Sequence, residues 1–425
     1  MFRSKIIFFI LVCFNLFSLN SAYGESRYRV EIYGSSTYQE INEQSRFNPD
    51  NQVLKIPEWS HVLELRPDVE LNFLKLHSVI LRSRHFLTSH EMDTANPTQT
   101  RTSIGSESDL TDLFISSEWK DHFSTHVGLQ NYQWGPAEIL SPSNVFFHFD
   151  NNQRSFFYKE KGRAMMRVNW NPDPDSSKWS VVGIYEPTSN HERFWTADRE
   201  FRPKSALKIE YQFENPINAV ALIFGQGEKE RFYFGEYFTW SPKEGISIYG
   251  DLKHQSGETH FVPEQNLMGT YDLVDSDEDS RYFTLAVVGF RWEGRIDLRQ
   301  EFIWNEPGYT QREWHQAKAA ALVLGPNLPR NIERFSRPGL EFRRQSYSYT
   351  SLRIPDLGKG QKHSAAIRWL SSLSETSSAL QVNWEYLWKD STVLSAEALH
   401  FMGGQGTEFR LLSDTQASIG FRWSY

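Results

Sequence analysis

The stretch Ala417-Ser418-Ile419-Gly420-Phe421-Arg422-Trp423-Ser424-Tyr425 decides how the rest of the chain is read. Ala417, Ile419, Phe421, Trp423 and Tyr425 are apolar or aromatic, and Gln416, Ser418, Gly420, Arg422 and Ser424 alternate with them. Successive side chains of a strand point to opposite faces, so this segment has one apolar face and one polar face. An ordinary edge strand of a soluble domain is the plain alternative, but an unpaired apolar edge is an aggregation hazard in water.

The same period of two recurs upstream. Leu380, Val382, Trp384, Tyr386 and Trp388 oppose Gln381, Asn383, Glu385 and Lys389. Ile296, Leu298, Phe302 and Trp304 oppose Arg295, Asp297, Arg299 and Glu301, and Leu207, Ile209, Tyr211 and Phe213 oppose Lys208, Glu210 and Gln212. Near the start, Leu63, Leu65, Val69, Leu71 and Phe73 oppose Glu64, Arg66, Asp68, Glu70 and Asn72. A soluble β-sandwich shows this alternation too. Two features favour a barrel in a membrane: segments of about ten residues, the length a tilted strand needs to cross a bilayer, and large aromatics (Trp304, Trp388, Trp423) near strand ends, as in an interfacial girdle.

Composition agrees. The 425 residues are 15% aromatic and 23% charged, with a mean hydropathy of −0.55. Barrel strands need apolar residues only at alternate positions, so a polar average is compatible with spanning a membrane. Arg3 and Lys5 precede an apolar run, Ile6 to Phe17, and then SLNSAYG with Ala22 and Gly24. This is the layout of a secretory signal peptide cut after Gly24; the run is short for a membrane anchor. The single cysteine, Cys13, lies inside it. A mature chain of 25–425 then has no disulfide, thiol nucleophile or thiolate metal site. A net charge of −8 argues against a nucleic-acid partner.

Tight turns at Asn215-Pro216, Ser241–Gly245, Glu293-Gly294 and Lys389-Asp390 alternate with longer polar stretches at 88–109, 187–204, 254–280 and 403–414. The sequence predicts an all-β fold: one antiparallel transmembrane barrel of about 16–18 strands, with short periplasmic turns and longer extracellular loops. Residues 36–60 lack alternation and read as a periplasmic or lumenal segment. Segments 217–226 and 314–324 are apolar on both faces and enter the tally as strands, and 338–354 reads as one long strand or a tight hairpin.

The C-terminal pattern, with Phe421, Trp423 and Tyr425, resembles the assembly signal that barrel-assembly machinery recognises in Gram-negative outer-membrane barrels. A second landmark is Gly128-Leu129-Gln130-Asn131-Tyr132-Gln133-Trp134-Gly135-Pro136, followed by Leu140-Ser141-Pro142-Ser143-Asn144. It is similar to an element of porin-like barrels and, more locally, to the Trp-Gly-Pro element of capsule-assembly outer-membrane barrels. In the latter a second glycine follows the proline, where this chain has Ala137. The resemblance implies outer-membrane localisation, with lipid and lipopolysaccharide as surroundings. It also implies either a channel for small polar solutes or a surface barrel that binds or anchors capsular polysaccharide. Gln130, Gln133, Trp134 and Asn144 are the candidate constriction or polysaccharide-binding residues.

Arg82, Arg84, Arg163, Arg167, Arg295, Arg299, Glu301, Glu385 and Arg422 are the candidate pore-lining residues, since they fall on polar faces. In a wide barrel such residues either set a field that selects solutes or pair across strands. Mixed signs argue against strong ion selectivity. Asp275, Asp277 and Asp279 alternate as Ca²⁺ ligands can, but the glycine and distal glutamate of an EF-hand loop are absent, and an acidic outer loop is the commoner reading. No G-x-S-x-G, H-E-x-x-H or phosphate loop is present, so no catalytic residue, resident metal or cofactor is expected. An outer-membrane hydrolase built from separate strands is the remaining alternative. No stretch marks an oligomer face.

Overall fold

The computed structural model describes residues 26–425 apart from 43, 53, 74–75, 94–99, 120–121, 147–161, 174–177, 188–202, 228–230, 267–268, 323–327, 337–341 and 359. The signal-peptide expectation for 1–24, and most of the expected loop 187–204, lie outside these residues. The strands, in chain order, are β1 (Ser26–Ile41), β2 (Trp59–Phe73), β3 (His77–Asp93), β4 (Thr100–Trp119), β5 (Phe123–Gln130), β6 (Arg163–Trp170), β7 (Trp179–Tyr185), β8 (Pro203–Gln212) and β9 (Ala219–Gly227). They continue as β10 (Phe232–Lys243), β11 (Ile246–Gln265), β12 (Tyr271–Glu293), β13 (Asp297–Asn305), β14 (Ser346–Leu357), β15 (His363–Ser372), β16 (Ser377–Lys389), β17 (Thr392–Met402) and β18 (Ser413–Ser424).

All are antiparallel to their sequence neighbours, and β1 pairs with β18 from Glu31↔Ser424 to Ile41↔Ser413. The sheet is therefore an 18-stranded closed barrel with no free edge among its strands. Closure satisfies every backbone ladder within the wall, which is what permits strands to cross hydrocarbon.

The outer face shows why the alternation exists. On β9 and β10, Val220, Leu222, Phe224, Phe238 and Trp240 are exposed, while Ala221, Ile223, Tyr233 and Tyr237 between them are buried. Large exposed apolar side chains around a closed sheet form a lipid-facing belt. Trp119, Trp170, Trp179, Trp240, Trp292, Trp388 and Trp423 ring the rim that carries Ser26 and Tyr425. Trp59, Tyr185, Phe232 and Trp304 lie near the other rim. From Phe232 to Trp240 a tilted strand covers about 20 Å of membrane depth, close to the height of a barrel belt.

The two rims differ. At the terminal rim the connections are short, as at 244–245, 294–296 and 390–391; at the far rim lie 42–58, 131–162, 306–345 and 403–412. Turn sides thus alternate once 338–354 is settled: among its described residues the strand begins at Ser346.

Three expectations need correction. Of the expected strand 314–324, residues 314–321 are helical instead: Gln311–Ala321 is helix α1, followed by α2 (Leu328–Ser336). Thr310 caps α1 in a reciprocal capping box with Glu313, and the alanines favour helix where no lipid face demands alternation. The supposed loops 88–109 and 254–280 are mostly the extended tips of the β3–β4 and β11–β12 hairpins. Above the belt neither face needs to be apolar, so strand continues without the pattern that announces it. Within 36–60, residues 36–41 belong to β1, and 42–58 form a far-rim connection whose Phe47 is buried against α2.

Candidate functional site

The chain leaves β5 at Gln130 and does not turn back along the wall. Residues 131–146 run without helix or strand across the inside of the barrel. Trp134, Val145 and Phe146 pack on Met165, Val182, Ile184, Ala221, Ile223 and Tyr237 of the inner wall from β6 to β10. Ile139 and Leu140 pack on Leu285, Val287, Ile303 and Tyr349 from β12 to β14.

Polar wall side chains tie down the backbone of this loop. Asn131 N–H donates to Asp112 Oδ1 on β4 (3.1 Å). Glu138 N–H and Ile139 N–H donate to the two carboxylate oxygens of Glu301 on β13 (2.7 and 3.3 Å). Ser143 N–H donates to Asp251 Oδ1 on β11 (2.7 Å). Arg299 donates to Pro136 O (3.2 Å) and Arg163 to Phe146 O (3.0 Å). A loop lacks ladder partners, and buried main-chain groups are costly unless bonded; these side chains supply the partners. Glu301 and Asp251 are fully buried, and Tyr249 Oη donates a further bond to Glu301 (2.7 Å).

Gly135 makes the close approach possible. Its φ is +95°, and a Cβ there would sit 2.3 Å from Asp251 Oδ2 and 2.6 Å from Ser141 Oγ. Only glycine meets both demands at once.

Charge gathers where the loop meets β13, β14 and β15. Glu138 accepts from Tyr349 Oη (3.0 Å) and Ser351 Oγ (3.3 Å) and lies 3.3 Å from Arg299 Nε and 3.5 Å from Arg368 Nε. On the opposite wall Glu64 pairs with Arg66 and Arg84, and Arg82 Nε donates to Asp68 (2.9 Å). The side chains of Arg82 and Asp68 keep 34% and 36% of their surface exposed, so solvent reaches them inside the barrel.

The expected lining residues fall into three groups. Arg82, Arg84, Arg163, Arg167, Arg299, Glu301, Glu385 and Arg422 occupy the inner face, at registers such as Gln130↔Arg163, Ser364↔Glu385 and Tyr33↔Arg422. Of these, Arg84, Arg163 and Glu301 are buried in ion pairs or under the loop. Arg295 is not on a strand: it lies exposed in the 294–296 turn at the terminal rim, because β13 begins only at Asp297. Of the loop candidates, Gln130 is buried and donates to Met165 O (3.0 Å), Trp134 is in the loop core, Asn144 is buried in a turn closed by its N–H to Ser141 O (2.9 Å), and Gln133 is exposed. Phe421 and Trp423 face lipid on β18, and Tyr425 N–H donates to Val30 O (2.9 Å) beside the seam. Asp275 lies 3.8 Å from Arg334, and the described residues hold no cluster of three metal-ligating side chains.

Sequence reasoning missed Asp112, Asp251 and Glu138. Each looks like one more polar residue on an alternating strand or in a loop; its role depends on a contact with a segment 19, 108 or 211 positions away.

A second inner assembly closes part of the far rim. Trp314 is fully buried between Phe335, Tyr309, Ala317 and Leu411, and stacks on Phe335 with ring centres 5.0 Å apart. Arg344 donates to Thr310 O (2.9 Å) and Ser374 O (3.3 Å), and Lys318 to Gly406 O (3.2 Å).

No family model matches the sequence, and no curated protein matches it. Solved structures do. Acinetobacter baumannii OccAB1 aligns over 94% of this chain and 96% of its own with a TM-score of 0.55 at 9% identity. Pseudomonas aeruginosa OccK5 (OpdH) aligns over 94% and 98% with a TM-score of 0.53 at 8% identity. Pseudomonas aeruginosa OpdL aligns over 94% and 99% with a TM-score of 0.50 at 11% identity. At such identities the likeness is one of fold, and the fold is that of these porin-like outer-membrane barrels.

Proposed function

We propose that the chain is an outer-membrane channel through which small polar solutes pass by diffusion, narrowed by residues 131–146. The observation that carries this reading is the pinned loop: it fills one side of the barrel and leaves half-exposed charged side chains on the other. A loop held by five wall residues keeps a fixed aperture, and the side chains facing that aperture set which solutes enter. In this reading the terminal rim is periplasmic and the long connections are extracellular. Glu138, Arg299, Arg368, Arg82 and Asp68 line the passage; Gln130, Trp134 and Asn144 support the constriction from behind. The assignment is one of passage and includes no reaction.

The test is single-channel conductance of the refolded protein in a planar bilayer. Stable open steps whose ion selectivity shifts in Arg299→Glu and Arg82→Glu are expected. A heat-modifiable, inserted barrel that stays electrically silent overturns the channel. The helix pair over the far rim would then favour the second reading, a surface barrel that holds polysaccharide.

A further inference from the structure

Between its two aromatic rims, the described outer face of the wall carries a single acidic or basic side chain other than histidine: Glu236 on β10. It stands on the outward side of the strand, between Phe234 and Phe238, and its ladder partners are the outward Leu222 and Leu252. It is midway between Phe232 and Trp240, the two ends of the apolar segment of β10, so it sits near the middle of the belt. It is half-buried among these side chains and has no hydrogen bond or ion pair among the described residues. Hydrocarbon supplies no donor, and a carboxylate that faces lipid at mid-belt is costly. A donor brought from outside this chain removes that cost.

A matching donor lies on the same side of the barrel. Gln300 on β13 and Ser348 and Thr350 on β14 point outward, across the ladder from the exposed Phe290, Phe302 and Trp369. Thr350 Oγ1 donates to Gln300 Oε1 (2.6 Å), and Gln300 Nε2 donates to Ser348 Oγ (2.9 Å). This chain of bonds ends at the Ser348 hydroxyl, whose own proton has no acceptor among the described residues. Each bond polarises the next, so the last proton is a strengthened donor on a lipid-facing surface. Gln300 is as many residues from Trp304 as Glu236 is from Phe232, which brings donor set and acceptor to similar depth.

The angle between the two sets is also informative. The 18 strands share the circumference. At about 20° for each strand, β10 and β13 look out about 60° apart, the angle between the two faces that each member of a three-fold ring presents to its neighbours. A two-fold pairing through β10 would instead set Glu236 against the same carboxylate of the other copy, and like charges repel.

We infer that the outer face from β10 to β14 is an interface between copies of this chain. Glu236 of one copy accepts from Ser348 of the next, and three copies close a ring with β11 and β12 of each turned toward its axis. The inference needs a barrel in a membrane and is independent of what passes through it.

The experiment uses the full-length barrel in intact outer membranes, in a Cys13→Ser background that removes the one native cysteine. Positions 236 and 348 are four strands apart within one barrel, about 19 Å, so a disulfide between them must join two copies. Glu236→Cys with Ser348→Cys should give two-copy and three-copy bands on a non-reducing gel, and either substitution alone should give neither. A two-copy band from Glu236→Cys alone marks a two-fold pairing and overturns the ring. A band that joins position 236 to a different protein overturns a second copy as the partner.

Because the double variant can fail to assemble, native mass spectrometry of the unsubstituted barrel in mild detergent gives a second measurement. Three copies should predominate. Glu236→Leu should lower that fraction at least tenfold while the barrel stays heat-modifiable, and Val168→Ser, on the outer face of β6, should change it less than twofold. A wild type found only as single copies overturns the ring, and so does an equal loss in Val168→Ser, which would mean that association does not depend on this face.

Discussion

Residues 131–146 and the helix pair of 306–345 both enter the barrel from the far rim, yet the first is tied to the wall through its backbone and the second through its side chains. Asp112, Glu301 and Asp251 hold main-chain amides of the first. The helices satisfy their own main chain and are held by the apolar contacts of Trp314, Phe335, Phe47, Leu273 and Leu411. Backbone bonds to buried carboxylates fix position and direction, which suits an aperture. Apolar packing is less directional, and three of its contributors come from rim connections or a hairpin tip rather than from the belt. The loop should therefore be the rigid element and the helix pair the one that yields first.

Trp314→Ala tests the second half of that contrast and carries the largest expected effect. Removing a fully buried indole costs about 3–5 kcal/mol. Amides of α1 should exchange with solvent hundreds of times faster while belt amides keep their protection; global unfolding instead would show that the helices and the wall are one cooperative unit.

Glu301→Ala tests the first half. It strips two loop amides and Tyr249 of their acceptor, at roughly 1–3 kcal/mol for each buried group left unsatisfied. Conductance and open-channel noise should both rise, with the barrel still heat-modifiable. A wild-type current trace would show that the apolar contacts of Ile139 and Leu140 alone hold the loop.

A smaller effect distinguishes the two by pH. Glu408, in the 403–412 connection beside the helix pair, accepts two bonds from Tyr347 Oη (2.8 and 2.7 Å), and burial pushes its carboxyl up to about 7. A raised acid pKa means that the folded rim binds the proton more tightly than the unfolded one. Its stabilisation is full below the ordinary carboxylate range and is lost as pH rises through about 7. The span is worth on the order of 3 kcal/mol. After correction for intrinsic rates, amides of 403–412 should be better protected at pH 5 than at pH 8, and Glu408→Gln should flatten the difference. Protection that grows with pH would contradict the burial argument.

The smallest effect concerns charge alone. Glu138→Gln leaves the loop pinned but removes the carboxylate that Arg368 faces and one of the two that Arg299 faces, so anion permeability should rise by a few-fold with conductance nearly unchanged. A large conductance change would mean that Glu138 is a structural tie and that the loop is less rigid than the wall contacts imply.

The belt was readable because lipid imposes a rule on each residue of a strand. Ile419, Phe421 and Trp423, or Leu380, Val382 and Trp384, had to alternate, and they do. Beyond the belt the rule lapses, which hid the strand tips at 88–93, 100–109 and 254–265. Helix α1 was hidden for a different reason: WHQAKAAALVL has no two-residue period, and its apolar density reads as a buried strand. The Thr310-x-x-Glu313 capping box, one turn before the alanines, was the available signal. The candidate site was legible in part. The Gln130–Asn144 element stood out through Trp-Gly-Pro, and the inward arginines through alternation. That Asp251 grips Ser143 is a matter of distances between segments, which spacing along a chain does not carry.

The seam between β1 and β18 has a consequence for how the barrel comes into being. Every other pairing in the wall joins strands adjacent in sequence, and each hairpin can form as soon as its two strands exist. The seam joins Thr37 to Ser418 across 381 positions. Closing a loop of that size is slow relative to hairpin formation. Until it happens, the nearly finished sheet has two open margins, one along each of these strands, both ready to pair with any other chain. For this molecule, correct maturation is therefore a race between its own two margins meeting and either one being captured, and conditions that keep them apart from neighbours should favour yield more than conditions that stabilise any single hairpin.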